Sequence, residues 1–195
     1  MVMAGRTNEA LAGLTGMEQD PESTLARGLL RMWTDDLAGA ADDLRAVGAL
    51  TEGDGCLLQL ANHVMGFLAE VEYRSGSWED AITHAEVAAG ASTEGGRPLD
   101  AAFIHAIAAR PLLAMGAWTR SDFHVRASSD LAGQFRAELV VACAARARGA
   151  QAMALGHHQV ALDAVRMAER AVSPAERPSS RMGRSRHWLS SLSTA

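Results

Sequence analysis

The sequence predicts an all-α protein, a solenoid of about four helical hairpins that repeat with a period of 40 residues. Three glycines define the period, because Gly76, Gly116 and Gly156 stand 40 residues apart. Each glycine follows a long stretch with apolar residues at helical spacing and precedes a second such stretch. Glycine readily adopts a left-handed backbone conformation at a helix end, which lets the chain reverse within a few residues. The apolar residues are mostly Ala and Leu, which favours closely packed helices.

Each hairpin pairs a first helix with a second one, at residues near 22–34 with 37–49, 57–74 with 78–90, 98–115 with 118–132, and 135–155 with 158–172. The four units, about 22–50, 57–91, 98–132 and 135–172, form one repeat domain over residues 21–172. Counting 40 residues back from Gly76 gives Asp36 as the matching turn in the first unit. Pro111 falls inside a first helix and is expected to kink it. Small residues near the start of the second helices predict a close approach between helices: Ala81, Ser121 and Ala161.

The two ends of the chain differ from the repeats. Residues 1–20 are expected either to fray or to form a short capping helix from Glu9 to Leu14. Residues 173–195 are rich in Ser and Arg and predict a flexible tail, in which Trp188, Leu189 and Leu192 are the residues that could anchor it.

Composition excludes several functional classes. The sequence contains no lysine, so all 18 basic residues are arginine. There is therefore no phosphate-binding loop of the G-x-x-x-x-G-K-[ST] type and no Schiff-base lysine. The net charge of −5 argues against direct binding of nucleic acid. Two isolated cysteines, Cys56 and Cys143, together with an N-terminus that lacks a long apolar stretch, predict a cytoplasmic protein that neither spans nor binds a membrane.

The histidines and carboxylates do not form a recognisable catalytic or metal-binding motif. His84 and His124 occupy equivalent positions in successive second helices, about 10 Å apart, which is too far for one metal ion. His157 and His158 lack a third ligand nearby in the sequence. Acidic pairs fall at helix starts or on exposed faces, where the helix dipole and solvation explain them. We therefore predict a protein that is not an enzyme and holds neither a metal nor a cofactor.

The hairpin turns resemble the second half of the tetratricopeptide-repeat motif, in which glycine is followed two residues later by an aromatic residue and three residues after that by alanine. Trp78 and Trp118 take the aromatic place, which in the family packs between the two helices. His158 replaces it in the fourth unit, and Leu37 or Ala38 in the first. The resemblance implies a right-handed α-α superhelix.

Two segments are also similar to the helical-repeat region of large ATP-binding LuxR-type (MalT-like) transcriptional regulators of bacteria. They run from Leu30 to Ala40 and from Arg74 to Ala81, and the resemblance covers roughly residues 22–171. The ATPase and the DNA-binding helix-turn-helix of such regulators have no counterpart in the sequence. The resemblance implies a module that is part of a LuxR-type regulator or is derived from one.

In the tetratricopeptide family the first helix of each pair lines a concave groove, and we carry these positions over residue by residue. The candidates are Trp33; His63, Glu70, Tyr73 and Arg74; Phe103 and Arg110; and Cys143, Arg146 and Met153. A mixture of aromatic residues and arginine suits a peptide or a small ligand. The alternative interpretation is that Trp33, Phe103 and Met153 are core residues at helical spacing.

These observations predict a non-enzymatic module that binds a protein, a peptide or a small effector in its groove. A general assembly adaptor unrelated to transcription is one alternative, and a sensor of small molecules or peptides is another. The sequence leaves the oligomeric state and the identity of the ligand open.

Overall fold

The protein is all-helical in the part of the chain that its computed structural model describes, which comprises residues 13–14, 20–51 and 58–172. Within these ranges there are eight longer helices and no strand. The helices are α1 (Pro21–Trp33), α2 (Leu37–Thr51), α3 (Leu58–Ser75), α4 (Trp78–Glu94), α5 (Pro98–Ala114), α6 (Trp118–Phe135), α7 (Glu138–Ala154) and α8 (His158–Val172). The predicted all-α class is confirmed. The predicted tail at 173–195, most of the helix expected at 9–14 and Cys56 lie outside the described residues.

The second helices run further than the apolar pattern predicts. α4 continues to Glu94 and α6 to Phe135, whereas we expected ends near residues 90 and 132. α6 stops where Arg136 turns into the left-handed conformation with φ of 50°. A non-glycine residue seldom takes this conformation, so the sequence carried no signal for the stop. α5 continues through Pro111, which is buried, and ends at Ala114, so the proline does not terminate the helix.

The three periodic glycines form the hairpin turns between paired helices. Gly76, Gly116 and Gly156 have φ of 88°, 73° and 76°. After each glycine, the next residue donates its N–H to the carbonyl oxygen five residues earlier, as Ser77 does to Glu72 over 2.9 Å. This bond satisfies a carbonyl that the helix end leaves without an intrahelical partner. The turn that we predicted from glycine therefore exists for the stated reason.

The first hairpin turn lies one residue earlier than the predicted position. Asp35, with φ of 70°, takes the left-handed conformation, and Asp36 donates its N–H to the carbonyl oxygen of Arg31 over 3.0 Å. Asp35 thus corresponds to Gly76, and Leu37 begins α2 as Trp78 begins α4. The prediction of Asp36 was wrong because aspartate, unlike most residues, tolerates the left-handed conformation. Leu37 rather than Ala38 therefore takes the place of the aromatic residue.

Each helix packs against the next, and α1, α3, α5 and α7 also contact one another in turn. Two serine hydroxyls show that α5 and α6 are antiparallel. Ser121 donates to the carbonyl oxygen of Ala109 over 2.9 Å, and Ser128 donates to that of Ala102 over 2.7 Å. Helices can approach closely enough for such bonds where the interface side chains are small. Ala81, Ser121 and Ala161 are accordingly buried.

Trp78 and Trp118 do not pack between paired helices as the family resemblance implies. They are 40% and 47% exposed, and each is the first residue of its helix. A residue in that place lies at the end of the hairpin, beside the glycine turn, rather than in the interface between the two helices. Among the described residues, no helix combines the length and the apolar character that crossing a lipid bilayer requires.

Candidate functional site

Several of the predicted groove residues join α3 to α5. The imidazole Nε2 of His63 lies 3.0 Å from Oδ1 of Asp100. The rings of Phe67 and Phe103 contact each other with their centroids 5.3 Å apart. Because both contacts advance in the same direction along the two helices, α3 and α5 run parallel. His63 and Phe103 are therefore occupied by contacts between helices.

Arg110 lies at the centre of a second group of contacts between the same helices. Its guanidinium forms an ion pair with Glu70 and lies over the ring of Tyr73, with Cζ 4.8 Å from the ring centroid. The attraction between a cation and an aromatic face stabilises this arrangement. The side chains of Arg110 and Glu70 are only 14% and 12% exposed. The pair therefore supports the packing of α5 on α3, while Tyr73 remains half-buried above it.

Residues of α7 extend this group across a third helix. Burial lowers the pKa of Arg110 to about 10, and the positive charge of Arg146 lowers it further in the same direction. Burial raises the pKa of the Cys143 thiol, while the charges of Arg146 and Arg110 oppose that shift. These mutual effects place Arg110, Arg146 and Cys143 within electrostatic reach of one another. We call Glu70, Tyr73, Arg110, Cys143 and Arg146 the arginine cluster.

The arginine cluster carries an excess of positive charge. Two guanidiniums, those of Arg110 and Arg146, stand against the single carboxylate of Glu70. Arg146 is exposed and forms no ion pair with any residue that the structure describes. An anionic group that binds here would meet an arginine whose hydrogen-bond donors are available, and arginine recognises carboxylates with planar, paired donors.

The remaining predicted groove residues lie near the ends of the first helices. Arg74 donates to the carbonyl oxygen of Met32 and to Oδ1 of Asp35, both over 2.7 Å, and so ties α3 to the first hairpin turn. Trp33 is 67% exposed and Met153 is 56% exposed. The alternative that these two residues belong to the core is therefore wrong. It is correct in kind for Phe103, which packs beside the core residues of α3, α4 and α5.

A buried histidine pair connects α5 and α6, and the sequence analysis did not find it. Nδ1 of His105 lies 2.8 Å from Nδ1 of His124, so one ring donates a proton to the other. The ring of Phe123 meets that of His105 edge-on, with centroids 5.8 Å apart. We had compared His124 with His84 by register, although the partner lies across the hairpin. The antiparallel pairing of the two helices would have placed residue 105 opposite residue 124.

The histidine pair borders an open depression of about 420 Å³. Phe123 and Glu86 also line this space. Nε2 of His124 lies 3.6 Å from Oε1 of Glu86, and Arg120 binds the same oxygen over 2.6 Å. In the described ranges of the chain, no set of three or more His, Cys, Asp or Glu residues is arranged to hold a metal ion.

The histidine pair should make the protein less stable in mild acid. Burial, and then the neighbouring His124, lower the pKa of His105 from 6.5 to about 4. Between these values the unfolded chain binds more protons than the folded one, so the free energy of unfolding falls as the pH falls from about 6.5 to about 4. We expect a loss of about 1–2 kcal/mol, allowing for partial screening by solvent. Urea unfolding at several pH values in this range measures it.

Two variants separate this effect from other titrations. The double variant His105→Leu/His124→Leu should lose part of the pH dependence, whereas His157→Gln, which changes an exposed histidine, should keep all of it. Wild-type pH dependence in the double variant would show that the acid sensitivity arises elsewhere.

No protein-family model matches the sequence, and no curated protein sequence matches it either. Among solved structures, the crystal structure of BtubC (BKLC) from P. vanneervenii is similar, with a TM-score of 0.53 and 16% sequence identity. The similarity covers 90% of this chain and 94% of that chain. The resemblances to tetratricopeptide repeats and to LuxR-type regulators are not supported by any family match. At this level of identity the comparison shows the fold alone, and the chain shares an all-helical fold with that bacterial protein.

Proposed function

We propose that this protein is a non-enzymatic helical-repeat module that binds a segment of a partner protein. The eight helices would form a tetratricopeptide-like, right-handed α-α superhelix with a 40-residue period. Two features support this arrangement: left-handed turns recur at the periodic glycines, and the odd-numbered helices contact one another in turn. Stacked hairpins of this kind bind partners along an extended surface. Here that surface would be the odd-helix face, which α1, α3, α5 and α7 present together.

The observation on which the proposal rests is the charge of the arginine cluster. Arg110 and Arg146 share one internal carboxylate, so a second carboxylate from a partner would complete the balance. Met153 lies two turns beyond Arg146 on the same side of α7 and is 56% exposed. Tyr73 adds an aromatic surface on the other side of Arg110. A peptide with an acidic side chain between apolar residues fits this chemistry best.

Replacing Arg146 with glutamine should weaken the binding of acidic peptides about tenfold. A hydrogen bond to a charged group contributes about 1.5–3 kcal/mol, and about 1.4 kcal/mol corresponds to a factor of ten in affinity. The probe is a pool of fluorescein-labelled peptides of about twelve residues, with a central aspartate and varied apolar neighbours. Fluorescence anisotropy measures the dissociation constant for the wild type and for Arg146→Gln.

Two controls accompany this measurement. Arg148→Gln changes an exposed arginine two residues along α7, and residues at that spacing face away from each other. This variant should bind as the wild type does. A second peptide pool has asparagine in place of the aspartate and should bind weakly. Equal binding of both pools, or equal weakening by both variants, would argue against a carboxylate site at Arg146.

A small-effector sensor is the second candidate, and the depression beside the histidine pair favours it. Its volume of about 420 Å³ would suit a small ligand, and Phe123 gives it an apolar side beside polar groups. An effector bound there would raise the melting temperature of the wild type and of Arg146→Gln equally, because the depression lies away from α7. A link to transcriptional regulation and a cytoplasmic location remain predictions from the sequence, as does a general assembly adaptor.

A further inference from the structure

The last helix of the described chain leaves an apolar surface exposed. α8 packs on α7 through alanines, namely Ala161, Ala164 and Ala168. Beside this alanine face, Leu162, Val165 and Val172 are 44%, 48% and 53% exposed. Their spacing places them along one side of the helix. We call these three residues the α8 stripe.

Residues equivalent to the α8 stripe are covered in the preceding hairpins. Forty residues before Val165 stands Val125, which is 5% exposed and packs with Ala147 of α7. Forty residues before Val172 stands Ala132, which is 4% exposed and packs with Val140 and Ala144 of α7.

The same positions in α4 are also buried. Ala85 and Ser92 are both 0% exposed, and Ala85 lies in a core cluster with Ile104 and Ile107 of α5. In each case, therefore, the first helix of the following hairpin covers the stripe. The α8 stripe lacks such a cover among the described residues.

The sequence that follows α8 carries the pattern of such a covering helix. α5 begins at Pro98 and α7 at Glu138, and a further step of 40 residues leads to Pro178. Four positions are buried in both α5 and α7: residues 102 and 142, 105 and 145, 109 and 149, and 112 and 152. The next step of the register gives Met182, Ser185, Leu189 and Leu192. Their spacing of three, four and three residues is that of an amphipathic helix.

We propose that residues 178–194 cover the α8 stripe, as the first helix of a fifth hairpin would. The length supports this occupant, since 178–194 matches the 17 residues of α5 and of α7. Arg184 departs from the pattern, because it stands where Ala144 is buried. Glu169, an exposed residue of α8, offers this guanidinium a carboxylate. The proposal depends on the repeat period but not on the ligand of the arginine cluster.

Hydrogen exchange in α8 tests the proposal on the full chain. Leu189→Asp/Leu192→Asp should speed the exchange of α8 amides about tenfold or more, because the cover that stabilises the helix is lost. Ser193→Asp is the matched control, since it adds the same charge at the position equivalent to the exposed Met153. It should leave α8 exchange unchanged. Val165→Asp changes the covered surface itself and should speed α8 exchange as the double variant does.

Combining the substitutions distinguishes contact from general destabilisation. If residues 178–194 lie on the stripe, adding Val165→Asp to the double variant should speed α8 exchange little further, because the contact is already lost. Additive effects, or unchanged α8 exchange in the double variant, would overturn the proposal. Light scattering distinguishes the other occupant, a second copy of the chain. A wild-type dimer that Val165→Asp converts to a monomer would also overturn it.

Discussion

Replacing Arg110 with methionine is expected to lower the free energy of unfolding by about 3–5 kcal/mol. The substitution leaves the carboxylate of Glu70, which is 12% exposed, without its guanidinium partner. A buried charge without a partner costs far more than the ion pair contributes when intact. The change also removes the cation from the ring of Tyr73. Urea unfolding followed by circular dichroism measures the difference from the wild type.

The double variant Glu70→Leu/Arg110→Met should recover most of this stability, since an apolar pair of similar volume often replaces a buried ion pair without loss. Arg146→Met removes an exposed arginine of the same cluster and should change stability by less than about 1 kcal/mol. A double variant as unstable as Arg110→Met alone would show that the isolated Glu70 carboxylate is not the cause.

Replacing Asp43 with leucine is expected to destabilise the first hairpin by a similar amount, about 3–5 kcal/mol. Asp43 is 5% exposed and accepts hydrogen bonds from two arginines of α1. Arg27 donates to it through Nη2 over 2.7 Å, and Arg31 donates through Nη1 over 2.9 Å. Asp43 also raises the pKa of Arg27 through the hydrogen bond between the two side chains. Without the carboxylate, two partly buried guanidiniums would repel each other where α1 meets α2.

The neighbouring residue provides a matched control for this variant. The side chain of Asp42 is 81% exposed, and its contact with Arg45, at 4.0 Å, is a weak surface pair. Asp42→Leu should therefore leave the unfolding midpoint in urea nearly unchanged. Hydrogen exchange should rise most in α1 and α2 of Asp43→Leu. Equal destabilisation by both substitutions would refute a role for the ion pairs and point to the added leucine instead.

Local features of the sequence predicted the helices and their turns well. Apolar residues at helical spacing indicate a helix whatever lies opposite, and glycine favours a left-handed turn because it lacks a Cβ atom. Where a turn used another residue, the prediction was off by a residue at Asp35 and by three at the end of α6, before Arg136. Both residues adopt a left-handed conformation that their side chains only seldom permit.

The candidate site was predicted in part. The register placed Glu70 and Arg110 at equivalent positions of successive first helices, and we took both for ligand-binding residues. In the structure these two side chains neutralise each other, while Arg146 on α7 stays exposed without an ion pair among the described residues. The histidine pair escaped notice because His105 and His124 stand 19 residues apart in the sequence, on helices whose relative register no local pattern reveals.

The sequence by itself thus determined the all-helical class and the hairpin turns at Gly76, Gly116 and Gly156, because the backbone preferences of short segments decide both. Only the tertiary structure decided which polar side chains meet. Whether Arg110 reaches Glu70, or His105 reaches His124, depends on the distance and the rotation between packed helices. A change of one residue in register would turn each side chain by about 100° around its helix. Contacts of this kind arise from the packing of whole helices, which spacing along the chain does not specify.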